Sequence, residues 1–180
     1  MDSNMGPDFG SLNQKIADTG ASKFSMRGLP LLSSGASYDG LALAENLWLS
    51  VKVYSSGGEN ALHRHMVEDH AFIVMQGQAT FHFEGGNSCE AKQFEGVMIP
   101  KGIAYKFEAS PGENLVLLRV GAAQRKTQGL DKLHEGRSPA ELRGTTFDID
   151  GSHKDAADPK TGTPSQAIIR IPGKFFPTDK

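Results

Sequence analysis

The chain has 180 residues, 38% of them hydrophobic, a single cysteine and a formal net charge of -2. That length and apolar content suit one globular domain with a sizeable core, and the charge gives no reason to expect a nucleic-acid or anionic-membrane partner. Cys89 cannot form an internal disulfide, which fits a reducing compartment. No apolar run approaches the roughly 20 residues that span a bilayer. The start, MDSNMGPDFG, lacks the basic and apolar regions of a secretory signal. A soluble, cytoplasmic protein is the expectation.

Residues 1–43 read as an N-terminal arm with lead-in strands. Residues 1–22 are polar and rich in Gly, Ser and Asp, and 23–34, KFSMRGLPLLSS, carry a short apolar patch suited to a first strand or an edge segment. From Leu47 the pattern becomes strict alternation. Leu47, Leu49, Val51 and Val53 share one face, and Trp48, Ser50, Lys52 and Tyr54 the other, as in a half-buried strand. The strand ends in SSGGEN, a turn composition. Further strands are predicted at 63–65, 70–76, 79–84, 96–100, 105–108 and 115–120, with Gly, Pro and Asn in the gaps. Short strands about every ten residues predict an antiparallel sandwich or barrel over 44–121, not alternating βαβ units. Between them, GGNSCEA reads as a loop in which Cys89 is a bystander thiol, since no neighbouring base activates it.

Residues 122–180 form an irregular C-terminal extension with a final strand. The stretch 122–166 is rich in Gly, Asp, Lys, Thr and Pro, with only a turn at Pro139–Leu142 and a brief alternation at Thr145–Ile149. The closing apolar run must bury Ile168, Ile169, Ile171, Phe175 and Phe176, either on the outer face of the barrel or against a second subunit.

The densest chemistry lies in Gly57–Gly77, GGENALHRHMVEDHAFIVMQG, which holds His63, His65 and His70, three of the six histidines. Neutral imidazole is the commonest protein ligand for a transition metal. Two histidines at i and i+2 on a strand point to one face, about 6.6 Å apart along the backbone, so both rings can converge on one ion. His70 can reach the same point from the next strand. Asp69 and Glu68 are the rivals for its place; otherwise they face solvent or orient an imidazole through its free N–H. His82 falls on the outward face of ATFHFEGG, and His134 and His153 lie in polar, surface-like stretches. Phe72, Val74, Met98 and Phe107 serve either as cavity wall or as plain core.

The pattern Gly57-x5-His63-x-His65-x4-His70-x6-Gly77, followed by Phe94-x5-Pro100-x-Gly102-x2-Tyr105, resembles the two motifs of the cupin family over residues 44–121. The resemblance implies an all-β double-stranded β-helix, or jelly-roll barrel, with a site inside it. The family pattern has glutamate where His70 stands and histidine where Tyr105 stands. Phe94 replaces the opening glycine of the second motif, and Ala109 its closing asparagine. By the resemblance the metal set becomes His63, His65, His70 and Tyr105. Three imidazoles can hold Zn²⁺, Fe²⁺, Mn²⁺ or Ni²⁺ with positions left open. Tyr105 is then either a fourth ligand or a catalytic acid or base beside the ion. Three functions follow as alternatives: a dioxygenase-like, metal-dependent enzyme on a small organic molecule; an isomerase or lyase using metal plus Tyr105; or a non-catalytic barrel that binds a small ligand. The resemblance also implies a homodimer, and no nucleic-acid or membrane partner.

Overall fold

A computed structural model describes residues 13–15, 20–44, 46–55, 62–66, 68–122 and 167–177. Gly57, His134, His153 and the features expected at 139–142 and 145–149 lie outside the described residues. Among those described there are twelve strands and no helix. Two sheets face each other. The larger has the order β4 (Ala36–Leu43), β5 (Leu47–Tyr54), β11 (Leu115–Ala122), β6 (Asp69–Gln76) and β9 (Gly96–Ile99). The smaller has the order β10 (Tyr105–Ala109), β7 (Gln78–Phe83) and β8 (Ser88–Lys92). Every pairing is antiparallel. This is the antiparallel barrel that the strand spacing predicted, in the jelly-roll form that the resemblance implied. Two short two-stranded sheets complete the fold: β1 (Asn13–Lys15) with β2 (Ser22–Phe24), and β3 (Leu29–Ser34) with β12 (Ile169–Phe176).

Two strands escape the sequence pattern for a physical reason. In β8 only Ala91 is buried, while Ser88, Cys89, Glu90 and Lys92 are exposed. No apolar alternation marks it, and Cys89 sits on an exposed strand instead of a loop. In β4 the sequence ASYDGLAL is too small and polar to announce itself. Conversely, 63–65 is not a full strand. It contributes one antiparallel bridge, His63 to Tyr105, closed by His63 N–H to Tyr105 O at 3.0 Å and Tyr105 N–H to His63 O at 2.8 Å.

Strands β5 and β11 have a core on each side, while the outward residues of β6, Ala71, Ile73 and Met75, are partly buried. Inside the barrel, Tyr54, Phe72, Val74, Phe81, Phe107 and Leu117 belong to one core. Outside it, Leu29, Leu32, Leu41, Val51, Val53, Val116 and Phe176 belong to another. The alternation read from β5 is therefore real, but it separates two buried faces rather than core from solvent. The outer cover is the β3–β12 ribbon, with Phe176 paired to Leu29. Asn114 ties that cover to the barrel: its Nδ2–H donates to Leu32 O at 2.8 Å, and its Oδ1 accepts from Leu32 N–H at 2.6 Å. The predicted docking of the last strand on the outer face holds for Ile171 and Phe176, whereas Ile168, Ile169 and Phe175 stay about half exposed.

Gly77, which closes the histidine segment, turns β6 into β7 with φ of +78°, and a Cβ there would meet Asn114 O at 2.8 Å. Only glycine meets both demands.

Candidate metal centre

Strand register brings the site together on the inner face of the large sheet. Trp48, Gly121, His70 and Ile99 form one row across β5, β11, β6 and β9, and Ser50, Arg119, Phe72 and Val97 form the next. The His63–Tyr105 bridge supplies the opposite wall. All four residues predicted for the site, His63, His65, His70 and Tyr105, are buried. Ring centroids lie 4.2 Å apart for His65 and His70, 5.1 Å for His63 and His65, and 4.6 Å for His63 and Tyr105. Among the other histidines, His82 is about one third exposed, 3.5 Å from Glu108. Phe72, Val74 and Phe107 are plain core, and Met98 is 69% exposed.

Two participants lie outside the four-residue set read from sequence. Glu68, weighed there as a rival of His70 or an orienter of an imidazole, is 2% exposed; its Oε2 lies 3.1 Å from His70 Nε2 and 3.9 Å from His65 Nδ1. Its signal was available, since Glu68, His70 and Phe72 follow the same i, i+2 spacing. Asp69, the other acidic rival, is exposed and accepts a hydrogen bond from Lys101 N–H at 2.9 Å. Arg119, on the inner face of β11, was missed altogether. Its Nη2 stands 2.9 Å from His70 Nε2 and 3.4 Å from His65 Nε2, and its guanidinium carbon lies 4.7 Å from the Trp48 ring centroid. A charged residue on the apolar run Leu115, Leu117, Arg119 is the clue that would have found it.

His70 Nε2 stands between Glu68 Oε2 at 3.1 Å and Arg119 Nη2 at 2.9 Å, and its Nδ1 lies 3.4 Å from the Tyr105 hydroxyl. Burial, reinforced by the Arg119 cation, pulls His70 down to about 4, against the smaller opposing effect of Glu68. The same two causes hold His65 well below its usual value. Both rings are therefore neutral near pH 7, the form that ligates metal. Burial pushes the Tyr105 phenol up to about 12, partly countered by Arg119.

Do these residues fit a divalent transition metal? Ligand atoms of His65, Glu68 and His70 all lie within 4.8 Å of one another, and all three side chains are buried. Buried His65 Nδ1 has no hydrogen-bond partner, an expensive omission for a group that nothing satisfies. Two imidazoles and one carboxylate form a donor set that first-row divalent ions accept. The residues fit, with Arg119 competing for His70 Nε2. His63 stands beside this three-residue cluster rather than in it.

Comparison with known proteins agrees with this architecture. A family model described as a cupin domain matches residues 50–121. A search of curated proteins finds no match. Among solved structures, the Cnp3 cupin domain of Schizosaccharomyces pombe is 16% identical, with a TM-score of 0.52 over 71% of this chain and 94% of its own. KdgF from Halomonas sp. is 15% identical, with a TM-score of 0.46 over 51% of this chain and 82% of its own. A conserved Streptococcus pyogenes protein of unknown function is 15% identical, with a TM-score of 0.48 over 54% and 82%. At such identities the first of these speaks to fold alone, and the other two carry no argument. The two motifs, the facing sheets and the family match agree: residues 50–121 of this chain, which build most of the barrel, are a cupin domain.

Proposed function

We propose that this cupin is a metal-dependent enzyme acting on a small organic molecule inside the barrel. The observation that carries the proposal is the buried cluster of His65, Glu68 and His70, with ligand atoms within 4.8 Å of one another. These three would hold the ion, with His63 and Tyr105 beside it. Relative to the set read from sequence (His63, His65, His70 and Tyr105), Glu68 enters as a ligand and Tyr105 takes the acid–base role. Two histidines and one carboxylate with open positions are the donor set of non-haem Fe(II) oxygenases, which favours the dioxygenase-like function. When bound, the ion supplies Lewis-acid or redox chemistry.

The protein's own residues do the rest. Tyr105 is protonated at neutral pH, so it is placed to give a proton, and the Arg119 cation stabilises the phenolate left behind. The Tyr105 hydroxyl stands 3.4 Å from His70 Nδ1, beside the residues that would hold the ion. This placement is the observation that favours the second function, an isomerase or lyase in which Tyr105 moves a proton. A homodimer belongs to the same proposal, supported by the exposed Ile168, Ile169 and Phe175. So does a cytoplasmic location, supported by an exposed free thiol at Cys89.

Metal analysis of protein purified without chelator separates the functions. Stoichiometric iron supports the oxygenase, and zinc, manganese or nickel supports the lyase or isomerase. Protein that holds no metal and takes none up contradicts both. In the lyase case Tyr105→Phe keeps its metal and loses about 10²- to 10⁴-fold in turnover; full turnover would remove Tyr105 from the chemistry.

A further inference from the structure

Arg119 is a buried cation with no direct ion pair; the buried carboxylate of Glu68 stands across His70 Nε2 from it. Arg119 is 7% exposed, and among the described residues its contacts are His65, His70 and the faces of Trp48 and Phe72, with no carboxylate in ion-pair distance. Its Nε–H has no partner. Its closest contact, Nη2 at 2.9 Å from His70 Nε2, falls on a nitrogen that Glu68 Oε2 also faces at 3.1 Å. Stacking on an indole offsets only part of the cost of a desolvated guanidinium.

Two neighbours are also unsatisfied. Ser50 lies directly across the strand pair from Arg119, and Trp48 follows two residues earlier on the same face. Both are buried, and neither Ser50 Oγ nor Trp48 Nε1–H has a partner. Trp48 reaches this position because β11 carries Gly121 opposite it: a Cβ there would lie 2.1 Å from the indole. Three unpartnered hydrogen-bond donors of three residue types thus share one patch beside the histidines.

We propose that Arg119, Ser50 and Trp48 form the anchor for a carboxylate of the substrate. A carboxylate supplies two acceptor oxygens matched to the guanidinium fork. With the buried Glu68 carboxylate on the far side of His70, a monoanion is repelled less than a phosphate dianion would be. Lys52, the next basic residue on this face of β5, is held down to about 7 by burial and the Arg119 cation and stacks on Tyr38 and Tyr54 at 5.0 and 5.7 Å. The proposal rests on the barrel interior being a small-molecule site, but not on the metal.

Trp48 is the sole tryptophan of the chain, so its fluorescence reports the anchor directly. Chelator-treated protein is titrated at constant ionic strength with propionate, with its neutral isostere propionamide and with inorganic phosphate. Propionate is expected to change Trp48 emission saturably, and propionamide to bind at least about tenfold more weakly, a difference of 1.4 kcal/mol. Arg119→Lys should weaken propionate binding and Arg119→Gln should abolish it, with melting temperature and metal uptake measured on the same samples. Equal binding of propionate and propionamide, no binding of either, or unchanged binding in a folded Arg119→Gln would overturn the anchor. Tighter binding of phosphate would overturn the assignment to carboxylates. Because the wild-type comparison needs no variant, a misfolded Arg119→Gln does not spare the proposal. Loss of metal uptake with propionate binding intact would sink the metal proposal alone.

Discussion

The two faces of β5, β11 and β6 are built from alternate residues of the same strands, yet they obey different rules. The outer face is aliphatic, with Leu41, Val51, Val53 and Val116 sealed under Leu29, Leu32 and Phe176. The inner face begins as an aromatic and aliphatic core, then gives way to His70, Arg119, Ser50 and Trp48. Both hold fully buried side chains, so burial alone does not tell stability from function. What differs is satisfaction. The outer face buries no titratable group, whereas the inner face buries a guanidinium with no direct ion pair and imidazole and indole nitrogens without partners. The outer face can therefore carry the stability that an ill-satisfied inner face costs.

If that division holds, the largest effect comes from the outer face. Leu41 is fully buried there, and Leu41→Ala should cost about 2–5 kcal/mol in denaturant unfolding while leaving metal uptake at one equivalent. Loss of metal binding in a folded Leu41→Ala would mean that the faces are coupled.

Acid should act next, and only through the inner face. His70 is held at about 4 in the fold, against about 6.5 in the unfolded chain. The unfolded state therefore binds more protons between those values, and stability falls as pH drops from about 6.5 to 4. For His70 alone the loss approaches about 3 kcal/mol, and His65 adds to it in the same direction. Urea unfolding of chelator-treated protein at pH 7 and pH 4.5 measures this. A flat profile would show that these rings are not buried neutral.

The smallest effect lies outside both faces. Phe94 is 77% exposed and holds φ of 69°, its N–H donating to Val74 O at 2.7 Å. A side chain in this left-handed region is strained. Phe94→Gly should raise stability by about 1 kcal/mol without touching metal uptake or Trp48 emission. A loss of stability would show that the ring makes contacts worth more than the strain.

The sequence revealed the site in proportion to how far its signals were local. Gly77 fixed the spacing that selects His70, and Pro100 with Gly102 fixed the spacing that selects Tyr105. Phe94 stands where the motif has glycine, and the backbone keeps the glycine-like conformation. Glu68 was harder because its acidic neighbour Asp69 competes for the same role, and only the two-residue period back from His70 separates them. Arg119 lies 49 residues from His70, and nothing near it in sequence signals an imidazole partner. The outer core was hidden for the same reason. The strand that covers β5 is assembled from Leu29–Ser34 and Ile169–Phe176, at opposite ends of the chain, so β5 looked half buried.

The most direct test of the metal centre is divalent metal uptake by wild type, His65→Ala, and Glu68→Gln, read by elemental analysis and titration on folded protein. The wild type should bind one equivalent. His65→Ala should lose it, and Glu68→Gln should bind about 10- to 100-fold more weakly, with both variants keeping the melting profile of a closed barrel. Wild-type protein that binds no metal, or variants that bind it as tightly as wild type, would contradict the assignment of His65, Glu68 and His70 as the site.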